Sequence, residues 1–313
     1  DDVKYWLTIN EQSIIVQYWT QKCYIRPELQ DNNQLRYQIN HHMNLAHAIA
    51  VKLVHELVPG GMAGAALGYA PVYPLTSKPE DVMAAQNAHD LRNSYYLDVY
   101  FKGFYNKSAW IYLEENNLAP IMEPGDEELM KEGISDFLAL NYYASECAKY
   151  CPETTQRRWS GFNQSGKKGE ISGFETQPGF YQMCKNPELD TTDWDWAIDP
   201  TGLEYIFRDL YTRYNRPLMI TENGLGAYDT LTEDGKVHDE YRIAYLRDHV
   251  KAMKKAIHYG AEVIGYMPWS ALDLYLPAME LRNAMVLSML IAAMMIQNNV
   301  QGFEKILSIG IKK

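Results

Sequence analysis

Two apolar runs in this chain end abruptly in polar residues. The run at 218–220 is followed by Thr221-Glu222-Asn223-Gly224, and the aromatic and apolar run at 3–9 is followed by Asn10-Glu11. A buried parallel strand that delivers a polar side chain at its C-terminal end has this pattern. In an α/β barrel, such strand ends form the active-site face. A lone glutamate at a strand end more often caps a neighbouring helix, so the prediction of chemistry depends on the pair.

The remaining hydrophobic pattern alternates between strand and helix periods along the chain. Because strands that alternate with helices pair in parallel, the pattern predicts an α/β protein. The helix at 42–57 is expected to bury Leu45, Ala48, Ile49 and Leu53. Further strands are predicted at 62–69, 136–143 and 261–269, and further helices at 78–105, 108–116, 125–131, 200–214 and 238–259.

A segment of about 50 residues after the third strand shows no clear period and is rich in aromatic and glycine residues. Its large side chains include Trp159, Phe162, Trp194 and Trp196. Loops of this length without secondary structure are usually functional. We therefore expect this segment to form part of a substrate-binding wall.

Charge and cysteine content narrow the class of protein. The 313 residues carry a formal net charge of −11, which argues against a nucleic acid or an anionic membrane as partner. A phosphorylated small molecule needs only a local positive pocket and stays possible. The spacing of the cysteines fits no zinc site and predicts reduced thiols in a cytoplasmic enzyme. They are Cys23, Cys147, Cys151 and Cys184.

Two carboxylates on facing strand ends are what hydrolysis of a glycosidic bond requires. Thr8-Ile9-Asn10-Glu11-Gln12 together with Ile220-Thr221-Glu222-Asn223-Gly224 resembles glycoside hydrolase family 1, the retaining β-glycosidases, from residue 1 to about residue 274. The resemblance implies a (β/α)8 TIM barrel, here partial, with strands four to eight. Strands one to three would be absent, and the first residues look like the interior of a longer protein.

The resemblance also implies a role for each matching residue. Glu222 matches the nucleophile and Glu11 the acid/base, and retention requires their carboxyl groups to be about 5–5.5 Å apart. The substrate-binding positions are Asn10, Asn141, Tyr143 and Trp269: Asn10 would bind the sugar 2-hydroxyl, Tyr143 the nucleophile, and Trp269 the sugar face. No metal or organic cofactor is needed. His41 and His42 are interpreted as structural.

Several further motifs resemble the 6-phospho-β-glucosidase branch of the family. They are Lys78-Pro79-Glu80-Asp81, residues 196–200 and residues 224–229. The resemblance implies phosphorylated β-glucosides as substrates, cleaved in the cytoplasm after uptake. Two alternatives stay open: a non-catalytic remnant that at most binds sugar, and a β-glucosidase of unphosphorylated glucosides. The chain alone is expected to be weakly active or inactive.

Residues 275–313 change character and lose the resemblance. We therefore predict a partial catalytic barrel over 1–274 and an aberrant tail over 275–313. Codons for residues 282–291, read in a shifted frame, permit Lys-Arg-Tyr-Gly-Phe-Ile-Tyr-Val-Asp, which is the family's own sequence at this point. Our hypothesis is that the tail is a frameshifted C-terminus of a 6-phospho-β-glucosidase.

Overall fold

The computed structural model describes residues 3–17, 26–29, 31–160, 168–169, 174–230, 232–233 and 236–269. The strands are β1 (Tyr5–Asn10), β2 (Met62–Gly68), β3 (Val72–Pro74), β4 (Leu138–Asn141), β5 (Glu146–Lys149), β6 (Thr176–Gln177), β7 (Tyr181–Cys184), β8 (Leu218–Asn223) and β9 (Val263–Pro268). The helices are α1 (Ser13–Gln17), α2 (Asn33–Leu57), α3 (Pro79–His89), α4 (Tyr95–Lys102), α5 (Lys107–Glu115), α6 (Asp126–Glu132), α7 (Pro200–Tyr214) and α8 (Glu240–His258). A 3-10 turn covers Pro27–Leu29, and a π-helical segment, Asp90–Ser94, joins α3 to α4.

The chain divides into two compact units. Unit 1 comprises residues 1–139, 146–162 and 171–187, and unit 2 comprises residues 140–145, 163–170 and 188–313. In unit 1, β1 and β2 pair in parallel, with Tyr5 opposite Met62. In unit 2, β8 and β9 pair in parallel, with Leu218 opposite Val263. Parallel strands separated by helices confirm the predicted α/β class.

Helix α2 begins nine residues earlier than its apolar pattern predicted, at Asn33 rather than at residue 42. The side chain of Asn32 accepts a hydrogen bond from the Leu35 N–H at 3.0 Å and caps the helix start. The predicted buried face was wrong in part: Ala48 is 2% exposed as predicted, but Ile49 is 47% exposed and Leu53 is 46% exposed. The face that packs inward is largely polar instead.

Long-range hydrogen bonds make this polar face possible, because a buried polar group is costly only when it lacks a partner. The Gln12 amide donates to the side chains of Asn40 at 2.8 Å and Asn44 at 2.7 Å. His41 hydrogen-bonds with Tyr105 through Nδ1 at 2.8 Å and with Asp126 through Nε2 at 2.9 Å. These contacts support a structural role for His41.

His47 is buried on the same face, and its environment makes stability depend on pH. It hydrogen-bonds with Thr8 at 2.6 Å and with Ser135 at 2.9 Å, and burial lowers its pKa to about 4. In unit 2, burial likewise lowers the pKa of His249 to about 4. Both rings are therefore neutral in the fold, whereas in the unfolded chain each binds a proton near its ordinary pKa of about 6.5.

The stabilisation from each neutral ring is therefore fully present above about pH 6.5 and is lost as the pH falls towards 4. We expect urea denaturation to give a free energy of unfolding that drops by about 3 kcal/mol per histidine across this range. In His47→Gln, the free energy of unfolding should change with pH about half as steeply between pH 6.5 and 4. An unchanged slope in this variant would contradict the assignment of a depressed pKa to His47.

The segment after β4, which we expected to lack secondary structure, contains three of the strands. With β3 they form a small sheet in the order β3-β5-β7-β6. Arg92 connects two segments of this sheet: its guanidinium is ion-paired with Glu146, at 2.7 Å, and with Glu175. Glu175 also accepts a hydrogen bond from Tyr181 at 2.7 Å. These ion pairs join residues far apart in the chain, so no local period reveals them.

Candidate active site

In unit 1, the end of β1 carries Asn10 and Glu11. Glu11 has a φ of 51°, in the left-handed region. That conformation costs a residue with a Cβ about 1 kcal/mol and often occurs at functional sites. The Glu11 N–H donates to the Ala66 carbonyl at 2.8 Å, which holds this turn against β2. The strained turn thus sets the direction of the Glu11 side chain.

The Glu11 carboxyl group lies beside the C-terminal end of β2. A Cβ atom at Gly68 would lie 3.2 Å from Glu11 Oε1, so glycine leaves the room that the carboxylate occupies. The next residue, Gln12, is buried and fixed by its two bonds to α2. Strand β1, the strained turn and α2 therefore position Glu11 together.

In unit 2, strand β8 delivers Glu222 to its C-terminal end. The Tyr143 hydroxyl donates a hydrogen bond to Glu222 Oε2 at 2.5 Å. The Tyr142 N–H donates to the Glu222 carbonyl at 2.9 Å, so the backbones of the two segments are also joined. A hydrogen bond to a carboxylate favours its ionised form, which is the form a nucleophile requires.

A buried network beside Glu222 holds this arrangement in place. The Asn223 amide donates to the Tyr142 carbonyl at 2.7 Å and to the Tyr245 hydroxyl at 3.1 Å, and its oxygen accepts from Tyr266 at 2.5 Å. Tyr245 in turn donates to the Tyr143 carbonyl at 2.9 Å. Asn223, Tyr245 and Tyr266 were not predicted from the sequence as supporting residues. The position of Asn223 directly after Glu222 was the one available signal.

The other predicted positions of unit 2 lie on the same strand ends. Thr221 donates to the Asn141 side chain at 2.6 Å. The Trp269 N–H donates to the Asn223 carbonyl at 2.9 Å. A Cβ at Gly224 would lie 2.1 Å from the Trp269 carbonyl oxygen, so only glycine permits this approach. The structure thus brings Asn141, Tyr143, Glu222 and the backbone of Trp269 to one edge of unit 2.

Two tryptophans of the predicted wall pack against this edge. Trp196 lies edge-on to Tyr143 with ring centroids 5.4 Å apart, and it also contacts the buried Trp194. Trp159 belongs to unit 1, where the Arg36 guanidinium lies 4.0 Å from its ring centre. Phe162 and the predicted tail, 275–313, lie outside the described residues.

The site residues therefore fall in two groups. Asn10 and Glu11 end β1 in unit 1, and the other four belong to unit 2. The separation of about 5–5.5 Å between the carboxyl groups of Glu11 and Glu222 stays a prediction.

Among the described residues, no helix is both long and apolar enough to cross a membrane.

The family model of glycosyl hydrolase family 1 matches residues 1–284. The aryl-phospho-beta-D-glucosidase BglC of Bacillus subtilis is 40% identical over 275 residues, which are 88% of this chain and 57% of BglC. The 6-phospho-beta-glucosidase AscB of Escherichia coli is 36% identical over 273 residues, 87% of this chain and 53% of AscB. The chain thus spans about half the length of these curated relatives.

Solved structures show the same likeness. A family 1 β-glucosidase from Thermotoga maritima matches with a TM-score of 0.73 and 27% identity, over 91% of this chain and 58% of that chain. The psychrophilic β-glucosidase BglU from Micrococcus antarcticus matches with a TM-score of 0.72 and 28% identity, over 87% of this chain and 57% of that chain. These neighbours confirm the predicted (β/α)8 fold, of which this chain covers part.

Proposed function

The chain belongs to glycosyl hydrolase family 1, and from this premise we propose that it carries the two catalytic carboxylates of a retaining β-glycosidase. The hydrogen bond from Tyr143 to Glu222 at 2.5 Å is the observation that carries the proposal. It gives the predicted nucleophile a donor that favours its ionised form. The strained turn at Glu11 supports a functional role for the second carboxyl group.

The proposed reaction has two steps. Glu222 attacks the anomeric carbon while Glu11 gives its proton to the leaving oxygen, and a covalent glycosyl-enzyme forms as the aglycone departs. Glu11, now ionised, takes a proton from water, whose oxygen attacks the same carbon and releases Glu222. Each step inverts the anomeric centre, so the product retains the configuration of the substrate.

The substrate-binding roles follow the same scheme. Asn10 is proposed to bind the sugar 2-hydroxyl, a contact that strengthens in the transition state. Trp269, which is partly exposed at the end of β9, is proposed to stack its ring on the sugar. Asn141 lines the same edge beside Thr221. No metal ion or organic cofactor takes part in the proposed chemistry.

The proposed substrates are 6-phospho-β-glucosides. BglC and AscB, the relatives compared above, are named for phosphorylated glucosides, and both are more similar to this chain than the compared β-glucosidase structures are. We place the reaction in the cytoplasm, because sugars phosphorylated during uptake are released there. The 6-phosphate is proposed to bind a Lys-Arg-Tyr segment that the shifted frame of residues 282–285 permits.

A sugar-binding role without catalysis is the second candidate for the 313-residue chain by itself. The observation in its favour is that the chain covers 57% of BglC. We therefore expect little turnover from the chain alone.

Sequencing the coding DNA tests the proposal for the tail: a single-frame change should restore Lys-Arg-Tyr-Gly, and failure to do so ends that proposal.

A chimera tests the proposed activity. Residues 3–269 of this chain would replace the aligned segment of BglC, so that both carboxylates come from this chain. We expect the chimera to hydrolyse a chromogenic aryl β-glucoside 6-phosphate in preference to the unphosphorylated glucoside. A folded chimera, verified by circular dichroism, that hydrolyses neither compound would overturn the proposal. The segment proposed to bind the 6-phosphate comes from BglC in this chimera, so the substrate assignment is tested on the full-length chain with its reading frame restored. A preference of that chain for the unphosphorylated compound would overturn the substrate assignment alone.

Removing the hydroxyl of Tyr143 tests the contact on which the proposal rests. Tyr143→Phe in the chimera should lower kcat/KM about 10- to 100-fold, because a hydrogen bond to a charged group contributes about 1.5–3 kcal/mol. The acid limb of the pH profile should move to higher pH, since Glu222 loses a donor that favours its ionised form. Tyr259→Phe, on an exposed ring, is the matched control. An unmoved pH profile would contradict the role of Tyr143.

A further inference from the structure

Two cysteines face each other in the small sheet of unit 1, away from the predicted chemistry. Cys147 in β5 and Cys184 in β7 are direct partners in the antiparallel register. Directly opposed residues in such a pair have Cα atoms about 4.5–5.5 Å apart. A disulfide requires about 4.4–6.8 Å, so the backbone already has the spacing of a bonded pair. Each thiol also acts on the other: Cys147 lowers the pKa of Cys184, and Cys184 raises the pKa of Cys147.

From this geometry we propose that Cys147 and Cys184 form a thiol-modification site, a cross-strand dithiol that closes to a disulfide by exchange with small disulfides such as oxidised glutathione. The proposal is independent of the glycosidase chemistry. Both residues are free thiols in the structure, as the sequence predicted, and the proposal adds an oxidised state to them. Cys151, the remaining described cysteine, is buried and contacts the Pro152 carbonyl instead.

The two thiols differ in exposure and in pKa, and these differences decide which of them reacts first. Cys147 is buried, whereas Cys184 is half-buried and therefore the more exposed of the two. The hydrogen bond from Cys147 and the Lys149 ammonium lower the pKa of Cys184, although burial and the Asp81 carboxylate oppose this. The bond to Cys184, burial and Asp81 raise the pKa of Cys147. Because the thiolate is the attacking species, Cys184 reacts first.

The exchange balances in two steps. The Cys184 thiolate attacks one sulfur of oxidised glutathione, forms a mixed disulfide and releases one glutathione thiolate. Cys147 then gives its proton to that thiolate and attacks the Cys184 sulfur. The second glutathione leaves as a thiolate and takes up the proton that Cys184 lost when it ionised. The two cysteines lose two electrons, and the glutathione disulfide is reduced to two thiols. The new bond ties β5 to β7 across the segment between them.

Peptide mapping of the 313-residue chain tests the proposal. Trypsin separates the relevant cysteines: Cys147 lies on peptide 132–149, Cys151 on peptide 150–157 and Cys184 on peptide 169–185. The native chain would be incubated with oxidised glutathione, alkylated and digested. We expect the cross-linked pair 132–149 with 169–185 to exceed every other disulfide by about tenfold or more. After unfolding in urea, disulfides should form between several different pairs of cysteines.

Three variants complete the test. Cys151→Ser is the matched control and should form the same cross-link. In Cys147→Ser, the reaction should stop at the mixed disulfide of Cys184 with glutathione. In Cys184→Ser, Cys147 should stay largely unmodified. Native wild-type chain in which both residues are alkylated separately would overturn the proposal. So would a mixed disulfide on Cys184 that never resolves, and so would a native pattern identical to that in urea.

Discussion

Replacing Glu222 by alanine in the chimera with BglC should lower kcat/KM for an aryl β-glucoside 6-phosphate by at least about a thousandfold. This loss corresponds to about 4 kcal/mol of transition-state stabilisation. The reason is that no covalent intermediate forms without the carboxylate. Steady-state rates measure the loss, and Glu128→Ala, at an exposed position on α6, is the control.

Azide separates the role of Glu222 from that of Glu11. In Glu222→Ala, azide occupies the space of the lost carboxylate and attacks the anomeric carbon directly, which gives the α-glycosyl azide. In Glu11→Ala, an activated aryl substrate still forms the glycosyl-enzyme, and azide then attacks it to give the β-glycosyl azide. NMR of the products distinguishes the two anomers. The opposite assignment of products would exchange the two roles, and the same anomer from both variants would contradict the double displacement.

Gly224→Ala should destabilise the 313-residue chain by about 3 kcal/mol, as severe overpacking does. The new Cβ would lie 2.1 Å from the Trp269 carbonyl oxygen, a backbone atom that can move only with β9. The hydrogen bond from the Trp269 N–H to the Asn223 carbonyl would be disturbed with it. Urea denaturation followed by circular dichroism measures the change, without any need for turnover.

Gly265→Ala in β9 is the matched control for this prediction. Its new Cβ would meet the Met219 side chain at 3.1 Å, and a methionine side chain can turn away. We expect a loss below about 1 kcal/mol. Equal denaturation midpoints for the two variants would show that the close approach at Gly224 does not constrain the strand end.

Local pattern was sufficient to locate most elements, because periodicity and capping are properties of neighbouring residues. The helix at Pro200–Tyr214 was predicted with its observed bounds: Asp199 caps it and Pro200 begins it. The run that ends in Glu222 was predicted as a strand and is β8. The small sheet was not predicted, since its strands are only two to four residues long.

By itself, the sequence determined the α/β class, the family and the two carboxylates at strand ends, because each of these depends on short motifs and local alternation. Only the tertiary structure decided what surrounds them. It decided the polar face of α2, the link from Asn223 to Tyr245 and Tyr266, and the pairing of Cys147 with Cys184. Each of these contacts joins residues that are at least 22 positions apart in the chain. A buried polar group is tolerated wherever the fold supplies its partner, and no local pattern says which distant residue that partner is.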